Sequence, residues 1–372
     1  MEENKFYSYN HKDLPKGCQY CIKGQKMVIF LTGICPRKCY FCPLSDDKFQ
    51  KDVIFANERP IISSKELIEE AELMDAKGAG ITGGDPLAKL DRTLRYITTL
   101  KKHFGSHFHI HIYTTLRLTT EPVLQKLYKA GLDEIRFHPD LDASTHWKKI
   151  AFAEKFPWQV GIEIPCIPGK EKEIKKLIDY SHPYVDFLNL NELEVADNQQ
   201  SKLIELGFET KDDFSYAVKG SLELGKELIQ YVQEKEYPLA VHICTAKLKD
   251  ATQLSNRIKR QAQGAKLPFD IIDEEGMLTR GALYLEELSP GAGYREKLKE
   301  DHEEIIERLK ELQQEVKKLN IKTVFDEKKP RILISKSDAK KHVKKFKKLN
   351  LKPAIVTEYP TYDQLEVEVE FL

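Results

Sequence analysis

Net charge is the first thing missing from this chain of 372 residues: 59 Lys and Arg are matched by 59 Asp and Glu. No global field therefore draws it to nucleic acid or to an anionic membrane surface. Long apolar runs are missing too. No stretch approaches the length of a bilayer span, and the opening Met1-Glu2-Glu3-Asn4-Lys5 has none of the apolar core of a secretory signal. Cysteine is too sparse for a disulfide scaffold. There are seven, and the five at positions 18, 21, 35, 39 and 42 crowd into one short stretch. That crowding argues for metal rather than disulfides and implies a reducing cytoplasm. What remains, with 41% hydrophobic residues, is enough for one large α/β domain and a smaller companion.

The run Cys35-Pro36-Arg37-Lys38-Cys39-Tyr40-Phe41-Cys42 lets one tight loop aim three thiolates at a single point. Three ligands are one short of what a [4Fe–4S] cluster takes for electron transfer alone. The uncovered iron is then open to a further ligand, which is a catalytic arrangement by the logic that separates open from closed metal sites. A structural zinc knuckle and a redox thiol pair are the competing readings. Zinc would want a fourth ligand close by.

The CxxxCxxC run, with the aromatic Phe41 before its last cysteine, resembles the radical S-adenosylmethionine (SAM) superfamily. The resemblance implies a [4Fe–4S] cluster on Cys35, Cys39 and Cys42, with SAM chelated to the open iron. It also implies reductive cleavage of SAM to methionine and a 5′-deoxyadenosyl radical that takes a hydrogen atom from substrate. An electron donor of the ferredoxin or flavodoxin type is implied as a partner. Gly83-Gly84-Asp85-Pro86 stands where the family has its glycine motif for the methionyl amino group. Adjacent glycines let the backbone approach a ligand closely, and a carboxylate beside them can accept from an ammonium. Phe41, Gly83, Gly84, Asp85, Glu163 and Asn189 are accordingly the expected cofactor contacts. Tyr113, Arg136 and His138, at the ends of strands three and four, are candidates for substrate contact.

From Met27 to about Ala246, short apolar runs alternate with amphipathic helices, which calls for a parallel sheet. About six βα units fit an α/β fold, a partial (β/α)6 radical SAM barrel. Pattern alone would equally allow an open doubly wound sheet. The expected division is an N-terminal segment with CxxC over 1–26, the barrel over 27–264, and a small C-terminal α+β accessory domain over 265–372. In that domain Glu274-Glu275-Gly276 reads as a hairpin turn. A long helix should carry a stripe of Leu298, His302, Ile305, Leu309, Leu312, Val316 and Leu319, packed within its own domain.

Cys18-Gln19-Tyr20-Cys21 is a second metal or redox bite. With His242 and Cys244 it would supply four ligands for a zinc ion or an auxiliary iron–sulfur cluster. Cys166 reads as a buried structural thiol. The layout over residues 15–265 resembles an archaeal radical SAM group related to pyruvate formate-lyase activating enzyme.

Lysine-rich helices, one with Lys247, Lys249, Arg257, Lys259 and Arg260 and one with Lys340, Lys341, Lys344, Lys345, Lys347 and Lys348, are candidate RNA contacts. The competing reading is a solvated face. Three functions follow: a radical SAM enzyme acting on a small molecule or cofactor precursor, one acting on tRNA or as a glycyl-radical protein activase, and a non-catalytic iron–sulfur carrier. The first is favoured.

Overall fold

The structure, a computed structural model, describes residues 2–300 and 302–372. Met1, in the expected N-terminal segment, and Asp301, in the expected accessory domain, lie outside the described residues. The chain divides into two units, Met1–Arg257 and Ile258–Leu372.

In the first unit seven strands run parallel: β1 (Lys26–Phe30), β2 (Gly78–Thr82), β3 (His109–Thr114), β4 (Glu134–Phe137), β5 (Gln159–Cys166), β6 (Phe187–Glu192) and β7 (Ala240–Cys244). They lie side by side in chain order, as an open partial barrel requires. The six expected units are present, and β7 extends them. Short antiparallel strands cover both edges, Phe55–Ala56 beside β1 and Tyr9–His11 beside β7.

Side chains alternate across each strand, and here the alternation divides apolar from polar. Ile29, Ile81, Ile112, Ile135, Ile162 and Leu190 are buried in the main core under the outer helices. Those helices include Ser64–Leu73, Leu90–Phe104, Glu121–Ala130, Glu171–Ser181 and Ser221–Glu234. Ser63 and Glu66 close a capping box at the start of the first of these. The neighbouring positions, His111, Tyr113, Arg136, Glu163 and Asn191, turn to the opposite face. A polar inner face on a parallel sheet calls for something to occupy it.

The second unit is an antiparallel sheet in the order Val324–Asp326, Arg331–Ile334, Leu278–Tyr284, Lys352–Glu358, Glu366–Phe371. Ile271–Ile272 pairs with Leu278 and Thr279 around the expected turn, where Gly276 takes φ +90°. The expected long helix is shorter than its stripe, running Glu303–Lys317. Leu298 follows a separate turn, Tyr294–Lys297, and the His302 ring donates to the Lys297 carbonyl at 2.6 Å, satisfying the end of that turn. Leu309 and Val316 are buried inside this unit, with Ile305, Leu312 and Leu319 packed against the same core. The six lysines of the 340–348 stretch are exposed while Ala339 and Phe346 are buried.

Candidate functional site

Cys35, Cys39 and Cys42 lie on the loop after β1, and that loop is tied down at many points. The Arg37 guanidinium donates to the carbonyls of His138 (3.1 Å) and Pro139 (3.2 Å) and pairs with Asp140 at 2.9 Å. Arg117 donates to the Pro36 carbonyl, Gln50 to that of Cys35 and Asn198 to that of Cys42. All three cysteines border one cavity of about 600 Å3. Three thiols on one cavity wall supply three ligands and leave a fourth position open, the donor set of a [4Fe–4S] cluster with one uncovered iron. Burial pushes all three thiols up, Cys39 to about 11, so they need a positively charged metal centre to become thiolates.

Gly83 and Gly84, at the end of β2, border the same cavity. Gly83 has φ +144°, and a Cβ there would lie 2.3 Å from the Thr32 carbonyl oxygen. The Gly84 N–H donates to that carbonyl at 2.8 Å and the Asp85 N–H to Ile34 at 2.9 Å. Bare backbone thus joins the glycine turn to the cysteine loop. Asp85 departs from expectation. Its carboxylate is fully buried and accepts from Thr114 Oγ1 (2.8 Å), Thr115 Oγ1 (2.7 Å), Thr115 N (3.1 Å) and Leu87 N (3.0 Å). Four donors saturate it, and it does not line the cavity.

Phe41, Glu163, Tyr113 and His138 do line the cavity. Glu163 accepts from Arg136 Nη1 at 2.7 Å and from Asn191 Nδ2 at 3.1 Å. Burial, with Arg37 nearby, drives His138 down to about 3, so its ring is neutral, and Nδ1 lies 2.8 Å from the Glu163 carbonyl. Asn189 is a second departure. Its Oδ1 accepts from His242 Nδ1 at 2.6 Å beneath the cavity, while Asn191, one pleat further along β6, borders it. Arg136 is buried between Glu134 and Glu163 and does not reach the cavity wall.

The expected four-ligand second metal site is not assembled. Both His242 nitrogens are engaged, Nδ1 with Asn189 and Nε2 with Ser8 Oγ at 2.8 Å. No three of Cys18, Cys21, His242 and Cys244 converge within 4.8 Å. The Cys18 sulfur lies 3.4 Å from Arg136 Nη2, and Cys244 packs with Ile22 and Leu248. Cys166 is buried without cavity exposure. Cys21 alone of the second set borders the cavity, carried there by the helix Lys16–Ile22.

Lys26, His111 and Lys249 were not among the expected site residues, yet all border the cavity. Lys249, expected on a basic surface, pairs with Glu194 instead, and Arg257 pairs with Glu58. The alternation His109-Ile110-His111-Ile112-Tyr113 held the signal for His111, because a strand that buries its isoleucines turns its histidines inward.

The model of the radical SAM superfamily matches residues 29–156. The chain is 41% identical over 291 residues to a Methanocaldococcus jannaschii protein named "putative glycyl-radical enzyme activating enzyme", an alignment covering 76% of each chain. Streptococcus suis SuiB bound to S-adenosylmethionine aligns with a TM-score of 0.42 and 14% identity over 59% of this chain and 50% of its own. The chain thus spans about half the length of SuiB. Methylornithine synthase, PylB, aligns with a TM-score of 0.39 and 17% identity, over 55% of this chain and 60% of that one.

Proposed function

The chain belongs to the radical SAM superfamily, and we propose that it is an activating enzyme taking a hydrogen atom from a glycine Cα of a partner protein. The [4Fe–4S] cluster and SAM of this family supply, when bound, one electron and a sulfonium bond whose reductive cleavage yields the hydrogen-abstracting radical. Cys35, Cys39 and Cys42 would hold three irons, leaving the fourth for SAM. Gly83 and Gly84 would offer SAM a wall of backbone without Cβ atoms. Glu163 and Asn191, fixed by each other and by Arg136, would orient its polar groups, and Phe41 would cover the apolar side and exclude water.

The observation carrying this reading is the convergence of three thiols, the glycine turn, Glu163 and Asn191 on one cavity. Two features support a protein substrate. The Methanocaldococcus relative is named for that activity and aligns over the same share of both chains. In addition, Ile204, Leu206, Phe214 and Tyr216 are exposed on the segment after β6, with Phe214 98% exposed. That segment is bonded to the cysteine loop through Lys202 N–H to the Tyr40 carbonyl at 2.6 Å. Exposed apolar side chains this frequent along one segment suit contact with a protein surface. A small polar substrate is the second reading, favoured by the lining of Lys26, His111, Tyr113 and Lys249.

The test uses anaerobically reconstituted enzyme, a reductant, and extract from cells fed α-deuterated glycine. Deuterium should enter 5′-deoxyadenosine with the macromolecular fraction, survive nuclease and be abolished by protease. Transfer from the ultrafiltrate alone would return the small-molecule reading, and transfer abolished by nuclease would point to RNA. Ala at Cys35, Cys39 or Cys42 should abolish SAM cleavage. Undiminished cleavage in those variants would overturn the assignment of the cluster.

A further inference from the structure

Inside the first unit, β3 and β4 aim three metal-ligating side chains at one another. His109, His111 and Glu134 are 4%, 1% and 0% exposed. One ligand atom from each falls within a 4.8 Å group. His109 Nε2 stands 3.4 Å from Glu134 Oε2, and His111 Nδ1 stands 3.9 Å from Glu134 Oε1. Donors on one tetrahedral zinc ion, each about 2.0–2.2 Å from the metal, lie about 3.4 Å apart. The group is thus close to the bite of a metal before one is considered.

Each ring is held by its far nitrogen. His109 Nδ1 faces Lys26 Nζ at 2.6 Å, and His111 Nε2 faces the Tyr113 hydroxyl at 3.0 Å. Orientation of imidazole ligands from the opposite nitrogen is usual at metal centres. The near nitrogen of His111 is a buried polar atom with no hydrogen-bond partner. Such an atom is destabilising where no ligand satisfies it. Gly17 roofs the group, its N–H donating to Glu134 Oε2 at 3.0 Å. A Cβ at Gly17 would fall 2.5 Å from Arg136 Nη2, 2.7 Å from His111 Nδ1 and 2.8 Å from Glu134 Oε1, so a side chain there would fill this corner.

Charge nearby is mixed. Arg136 Nε donates to Glu134 Oε1 at 2.5 Å, and Lys26 stands behind His109. Both oppose a cation, while Glu134 and Glu163 lie on the same inner side as counterweights. Access exists, because His111 and Lys26 border the cavity.

We propose that His109, His111 and Glu134 form a mononuclear site for a divalent transition-metal ion, separate from the three-cysteine loop. Two imidazoles and one carboxylate with a further position open is the donor set of catalytic zinc sites and of non-haem iron(II) sites. This proposal does not depend on which substrate the enzyme takes.

Zinc is the probe. Anaerobically reconstituted holoenzyme is equilibrated with zinc and desalted, then analysed for zinc and iron and by absorption at the zinc edge. One zinc per chain with a first shell of nitrogen and oxygen is expected. His111→Gln should lose that equivalent while keeping its cluster iron, and Glu134→Gln should do the same if it folds. Zinc ligated by sulfur, no bound zinc in the parent enzyme, or equal zinc in parent and His111→Gln would each overturn the proposal.

Discussion

Asp85 shows how one carboxylate beside a glycine turn can serve the fold instead of the ligand. Its oxygens accept four hydrogen bonds from Leu87, Thr114 and Thr115, which clamp the turn after β2 to the end of β3. Removing it strands buried donors, each costing about 1–3 kcal/mol. Asp85→Ala should therefore lose about 3 kcal/mol in chemical denaturation. The SAM affinity of the fraction that folds, read by titration, should be little changed. A large loss of SAM affinity at unchanged stability would return Asp85 to the ligand shell.

The β1 loop depends on a second anchor as an element. Asp52 accepts from Thr32 Oγ1 (2.9 Å), takes both nitrogens of the Arg92 fork (2.6 and 3.1 Å) and pairs with Lys89 at 3.0 Å. Bonding to Arg92 holds its carboxyl well below the usual carboxylate range. Its folded pKa is thus below the unfolded value of about 3.9. The unfolded chain takes the proton first, so the contribution is full above that value and drains away as pH falls. Asp52→Asn should cost about 1 kcal/mol near neutrality, an amount kept small by partial exposure. Urea midpoints of the two proteins should draw together as pH falls below about 3.9 and meet only once it passes below the folded pKa of Asp52.

Much of this element was readable before any fold was known. The 4+3 cysteine spacing and the glycine pair are local, and local spacing survives folding. The clamps were not readable. Arg37 binds carbonyls 101 and 102 residues away, and nothing in a neighbouring sequence window marks such a partner. Asn189 and Asn191 differ by one pleat on the same face of β6, and only the depth of the cavity decides which one borders it. His242 failed as a ligand because Ser8 and Asn189 occupy its nitrogens.

The molecule as a whole carries its second buried charge network in the C-terminal unit. Glu358 accepts from Arg331 Nη2 at 2.9 Å and pairs with Arg280 Nη1 at 3.2 Å, with all three side chains buried. Taking one partner from a buried ion pair costs about 3–5 kcal/mol, because the remaining charge is left in a poor dielectric. Glu358→Ala should lower the unfolding temperature of this unit while iron per chain stays at the parent value. Calorimetry with parallel iron analysis checks both. Loss of iron would instead tie the cofactor to this network.

The helix Lys16–Ile22 sets Cys21 into the cavity wall, bonds Gly17 to Glu134 and offers its Ile22 carbonyl to Asn256. One residue of the chamber wall, Cys21, is therefore supplied by chain that comes before the first parallel strand. A fragment trimmed to begin at Lys26 would lose that wall residue and leave Glu134 and Asn256 each short of a partner from upstream of β1.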